Sequence, residues 1–168
     1  MPLLATPDVD GYGDPAGPVV DEFTDQLVVT YSYGAPWGER LVNWSDLELL
    51  GLSRRMLRRQ AATNLGGMLD QVRIHGQAAM MMLSFDGLES SLLLADPFWE
   101  RLARRVPGRL VVGVPSRDVV VVTGSESRAG LARVRGAVDR VLFAGDEHLL
   151  CPDLLVRRND GRWEPFAA

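Results

Sequence analysis

The chain has 168 residues, 46% hydrophobic and 24% charged, with a formal net charge of −4 and one cysteine, Cys151. A chain of this length buries about 70% of its unfolded surface without a staple, and a lone thiol excludes an internal disulfide and fits a reducing compartment, so the expected location is the cytoplasm. All 18 basic residues are arginine, which excludes Schiff-base chemistry, a lysine nucleophile or base, and a Walker-type phosphate loop with its lysine.

Residues 1–21 hold three glycines, four prolines and several acids but no base. They read as a disordered acidic tail, because such a stretch buries too little apolar surface to offset the entropy of ordering. Without a basic n-region they are not read as a secretory signal. Residues 22–168 are expected to form a single α+β domain. Residues 27–33 are β-branched and aromatic and end at Gly34, Pro36 and Gly38, the pattern of a strand and a loop; residues 40–43 pair back on it. Ser45 and Glu48 have capping-box spacing, with Trp44 stapled onto Leu49 and Gly51 as the stop. Ser53 caps a longer helix to about Asp70. Leu57, Ala61, Leu65, Met68 and Val72 line its core face, and Arg54, Arg55, Arg58 and Arg59 its opposite face.

The middle reads as antiparallel strands at 72–75, 78–85 and 89–95, divided by Gly76 and by an Asp86-Gly87 turn. The run Met80-Met81-Met82-Leu83 suggests a strand buried on both faces. Asp96 then caps a helix with Pro97 at its first position. Two valine-rich strands, 109–114 and 119–123, are joined by the four-residue loop Pro115-Ser116-Arg117-Asp118. A helix over 127–143 follows, with Leu131, Val134, Val138 and Val141 on one face. A hairpin around Asn159-Asp160-Gly161, anchored by Trp163, closes the chain. Strands in hairpin-connected groups between helices give α+β: a mostly antiparallel sheet with helices packed on one face.

The order of several short motifs resembles the YtpQ-like family of bacterial proteins. They are Leu27-Val28-Val29-Thr30-Tyr31, Asp46-Leu47, Gly51-Leu52-Ser53, Ala61-Ala62-Thr63-Asn64-Leu65, Ser91-Leu92-Leu93-Leu94 before Trp99, Val114-Pro115-Ser116-Arg117-Asp118, and Gly161-Arg162-Trp163-Glu164-Pro165-Phe166. The resemblance covers about residues 22–166. It implies a domain of unknown function, and so a boundary without an activity. The absence of lysine and the acidic N-terminal stretch depart from the family's Bacillus-type pattern.

Among candidate sites the Pro115–Asp118 loop ranks first, because a rigid pair of strands presents it. The planar fork of Arg117 suits a carboxylate or phosphate, and Asp118 would orient it or act as a base. In the plainer alternative Ser116 and Asp118 satisfy turn backbone groups, their commoner role, and Arg117 pairs with a carboxylate. Asn64 falls on or beside a buried stripe, where its amide needs partners; it either ties its helix to a loop or lines a pocket. Trp99 is expected nearby. His148 and Cys151 are three residues apart, but a zinc site needs four ligands and the only other histidine is His75, so no metal and no cofactor is expected. A thiol nucleophile would need His148 or His75 as its base, oriented by Asp146 or Asp153; a buried, inert cysteine is the usual case. There is no Gly-x-Ser-x-Gly elbow and no glycine-rich phosphate loop. The arginine helix is the best case for nucleic acid, yet scattered aromatics and net acidity argue against it. No apolar run reaches the roughly 20 residues of a membrane span. The expectation is a non-catalytic binding or regulatory protein that engages a protein partner or small anion through Ser116, Arg117 and Asp118 with Asn64 and Trp99. The alternative is a small hydrolase or transferase using Asp118 or Cys151 with His148. Oligomeric state, a homo-oligomer included, stays open.

Overall fold

Leu3, Leu4, Val19 and Val20 stand among the acids and glycines of the N-terminal stretch, and all four are buried. In the computed structural model, which describes residues 1–167, they make this stretch part of the fold, against the expectation of a disordered tail over 1–21. Strand β1 (Pro2–Ala5) pairs antiparallel with β3 (Val28–Tyr31), and β2 (Asp21–Glu22) pairs with the other edge of β3, giving a three-stranded sheet in the order β1-β3-β2. Two apolar pairs at the ends of the stretch supply the burial that its composition hides. The 40–43 segment pairs back on the strand as expected, through a single bridge from Leu41 to Ser32, and Asn43 also bridges to Pro18 of the N-terminal stretch.

The cap of helix α1 (Trp44–Leu50) lies two residues before the expected Ser45: Asn43 and Asp46 form the capping box, and Gly51 closes the helix in the left-handed conformation. Leu49 is 86% exposed, so it is not stapled under Trp44. Ser53 caps α2 (Arg54–Gly66), accepting a hydrogen bond from the Met56 N–H, and Ala61 and Leu65 face the core. The helix ends at Gly66, and residues 69–71 form a separate 3-10 turn.

The larger sheet has six antiparallel strands. They are β4 (Arg73–Gln77), β5 (Met80–Ser84), β6 (Leu110–Ser116), β7 (Val119–Gly124), β8 (Leu154–Arg157) and β9 (Trp163–Pro165), in the order β4-β5-β7-β6-β8-β9. Gly76 lies inside β4, and the turn falls at Ala78-Ala79. Met82 is 45% exposed, so β5 buries one face and not both. Residues Ser90–Leu94, expected as a strand, form a buried 3-10 helix. Their Ser-Ser-Leu-Leu-Leu run has no period of two, and i→i+3 bonds such as Leu92 N–H to Glu89 O organise it. It leads into α3 (Asp96–Leu102), whose N-cap is Ala95; Asp96 makes no cap bond and pairs with Arg157.

Period-two alternation assigns the central valines to two cores. Val111 and Val121 pack against Val134 and Val138 of α4 (Arg128–Ala144), which Ser127 caps through Gly130 N–H. Val112, Val114, Val120 and Val122 face the larger core, shared with Leu92, Trp99, Leu102 and the small sheet. The architecture is α+β with antiparallel sheets, and its helix layer is divided: α4 alone covers one face, while α3 and the 3-10 helix occupy the other. Among the described residues no helix is long and apolar enough to cross a membrane.

Candidate anion-binding cleft

The loop that presents Arg117 is tighter than its sequence suggests. Pro115 and Ser116 belong to β6, Ser116 pairs with Val119, and only Arg117 and Asp118 turn the chain. One extra residue bulges between Gly113 and Ser116, a place where the missing N–H of Pro115 breaks no ladder bond. The Arg117 backbone is pinned on both sides: its N–H donates to His148 O at 3.0 Å, and its C=O accepts from Ser90 N–H at 2.9 Å.

From this anchor the half-buried side chain reaches across Gly38. A Cβ at Gly38 would lie 2.2 Å from Arg117 Nη1 and 3.6 Å from a Leu3 methyl, and Gly38 sits at φ 96°. Glycine is thus needed there both for its backbone conformation and for the close approach of the guanidinium. The group borders a cleft of about 240 Å³ between the two sheets, lined by Leu3 to Thr6 of the N-terminal segment, Thr30, Leu41 and residues 147–150. Among the described residues no carboxylate lies within 4.0 Å of Arg117, and its side chain makes no hydrogen bond. An arginine so held is a bidentate donor without an acceptor.

The other expected residues scatter. Asp118 accepts from the Ser116 hydroxyl at 2.7 Å, so this pair serves the turn, and Ser116 itself is buried. Trp99 is fully buried, edge-on to Phe98 and Trp163, with its indole N–H donated to Leu92 O. It belongs to the core and not to the cleft. Asn64 is exposed, accepts from Gln60 Nε2 at 2.8 Å, and lines a separate cleft of about 440 Å³ with Tyr31, Trp37 and Met68. His148 is exposed at the Arg117 cleft, whereas the Cys151 thiol is buried and donates to Gln26 Oε1 at 2.8 Å. Burial pushes that thiol up from its ordinary pKa, which opposes thiolate chemistry. Among the described residues no group of three or more His, Cys, Asp or Glu side chains is placed to hold a metal ion.

A protein of Listeria innocua is 28% identical to this chain over 115 residues, 67% of this chain and 43% of that protein. One of Bacillus cytotoxicus is 23% identical over 151 residues, 88% of this chain and 55% of that protein. One of Staphylococcus haemolyticus is 23% identical over 115 residues, 67% of this chain and 40% of that protein. All three are named UPF0354 proteins. The chain is their homologue. YtpQ is a member of the same uncharacterised family, so the resemblance read from the ordered motifs holds. The chain spans about half the length of the curated relatives it matches. No family model matches it, and no solved structure matches it.

The cleft also uses residues that the sequence did not single out for an anion site: Leu3, Thr30, Gly38 and Glu147. Two had a signal. Gly38 closes the Gly34-Ala35-Pro36-Trp37-Gly38 loop, and Pro2-Leu3-Leu4-Ala5 is an apolar run inside an otherwise polar stretch. Thr30 stands in a strand motif and Glu147 beside His148 as a possible oxygen donor, and neither position marks an anion site.

Proposed function

We propose that this UPF0354 homologue is a non-catalytic binding or regulatory module whose Arg117 cleft holds an anionic group, a carboxylate or a phosphate, of a small ligand or of a partner protein. The observation that carries the reading is the Arg117 guanidinium, half-buried between two sheets and, among the described residues, left without a carboxylate. The two sheets share one hydrophobic cluster, so the reading treats them as a single unit with the cleft at their seam. It also places the protein in the cytoplasm, where Cys151 stays a thiol.

The test is calorimetric titration with inorganic phosphate and with short carboxylates, wild type beside Arg117→Ala, together with a pull-down from native extract. A hydrogen bond to a charged group contributes about 1.5–3 kcal/mol, so binding should weaken roughly tenfold to a hundredfold in the variant, with an unchanged melting temperature. Unfolding of the variant would assign Arg117 a structural role, and equal binding by both forms would remove it from the site.

A further inference from the structure

Arg117 is not the only open charge at the cleft. Glu147 lines the same space, and among the described residues it has neither an ion pair nor a side-chain hydrogen bond. The two opposite charges border one cavity without meeting each other within 4.0 Å. The pinned Arg117 backbone and its seat over Gly38 account for one side of that separation. A third polar group faces the same space: Thr30 of β3 is only 3% exposed, and among the described residues its hydroxyl has no partner. The remaining walls are apolar, chiefly Leu3, Leu4, Val9, Leu41, Leu149 and Leu150, with the His148 imidazole beside them.

A simple anion uses Arg117 but meets repulsion from Glu147. A ligand that carries both charges satisfies both residues. Building on the anion reading above, we infer that the cleft takes a free α-amino acid with a branched aliphatic or aromatic side chain. Its carboxylate accepts from Arg117 and the Thr30 hydroxyl, its ammonium faces Glu147, and its side chain packs among the leucines. The size agrees: about 240 Å³ lies below the roughly 300–1,000 Å³ of sites for drug-sized ligands. Selectivity would follow from charge complementarity: an acid without an ammonium meets repulsion from the exposed Glu147, and an amine without a carboxylate leaves the half-buried Arg117 without an acceptor.

The experiment is calorimetric titration of the full chain with L-leucine, L-phenylalanine, 4-methylpentanoate (leucine without its amine), 3-methylbutylamine (leucine without its carboxylate) and inorganic phosphate. Wild type is compared with Glu147→Gln and Arg117→Ala. One or both amino acids should bind wild type at least about tenfold more tightly than the acid, the amine or phosphate, the factor that corresponds to 1.4 kcal/mol. Glu147→Gln should remove that preference, weakening the amino acid while sparing or improving 4-methylpentanoate; Arg117→Ala should weaken both. If the acid or phosphate binds wild type as well as the amino acids, the zwitterion inference falls and the anion reading stands. Tightest binding of the amine overturns both; no binding by any of the five compounds overturns the zwitterion inference and the small-ligand form of the anion reading, leaving the partner-protein form to the pull-down.

Discussion

Arg54 and Arg58 reach the same carboxylate from one helix face, while Arg117 reaches none among the described residues. Asp21, with a side chain only 8% exposed, accepts from both α2 guanidiniums and from the Tyr31 hydroxyl, and Arg54 also donates to Val20 O. Burial by itself would raise the Asp21 pKa, but hydrogen bonds from Arg58, Tyr31 and Arg54 outweigh it and hold the carboxyl below its usual range. Burial and the neighbouring Asp21 push the Tyr31 hydroxyl up. The sequence favours the helix as the cationic surface, because four arginines crowd one face there. In the fold, two of those four fasten the N-terminal segment to α2, while Arg55 and Arg59 stay on the exposed face without an ion pair among the described residues, and the loop arginine is the one that borders a cleft. Arginine density therefore says little about binding until the carboxylates that the fold delivers are counted.

That contrast breaks most readily at Asp21. Removing one member of a buried pair costs about 3–5 kcal/mol. Here Arg54 and Arg58 are 40% and 53% exposed, so solvent recovers part of their loss and Asp21→Ala should cost about 2–3 kcal/mol. Urea denaturation measures it, with Arg117→Ala expected within about 0.5 kcal/mol of wild type. Similar losses in the two variants would erase the distinction. The same carboxylate sets the acid limb. Its folded pKa lies below the unfolded value of about 3.9, so its contribution is fully present above that value. As pH falls further, the unfolded state takes up the proton first and the contribution is lost through the folded pKa. Asp21→Asn should flatten this part of the stability profile and leave the neutral region without a slope of its own.

Gly38→Ala sharpens the comparison at the other arginine. The backbone holds residue 38 at φ 96°, which costs a residue with a Cβ about 1–3 kcal/mol, and the new Cβ displaces the guanidinium, whose Nη1 now lies 2.2 Å from its position. Binding at the cleft should fall as in Arg117→Ala, accompanied by a stability loss that Arg117→Ala lacks. Ligand titration beside urea melts separates the two effects; unchanged binding would mean that the seat over Gly38 does not set the position of Arg117.

Much of the fold was legible because its signals are local. Alternating valines mark β6 and β7, Ser53 and Ser127 mark helix starts, and Trp163 anchors the last hairpin through its indole N–H to Leu93 O at 3.1 Å. The failures share a cause, which is that long-range partners decided the outcome. Acids and glycines at 6–17 disguised Leu3 and Leu4, whose burial depends on β3 and on the 3-10 helix. In that helix region Glu89 folds back to accept from Phe85 N–H at 2.7 Å, a contact no periodicity announces. Arg117 could be singled out because two strands plainly flank it. Its companions Thr30, Gly38 and Glu147 come from separate segments, and only the meeting of two sheets brings them together.

Cys151 tests the same rule on the smallest scale. Sequence spacing invites a pairing with His148, yet the fold gives the thiol a different partner, Gln26, whose amide also donates to Asp153 Oδ2 at 2.7 Å. A thiol with its proton engaged and its pKa raised by burial is a poor nucleophile. Iodoacetamide should therefore label native Cys151 far more slowly than the same thiol in urea, and His148→Ala should leave that rate unchanged. Cys151→Ala should cost about 1–3 kcal/mol, from the buried sulfur lost and the Gln26 acceptor left without its donor. A native labelling rate that drops when His148 is removed would show the imidazole acting on the thiol, and it would return the pair to the candidates for chemistry.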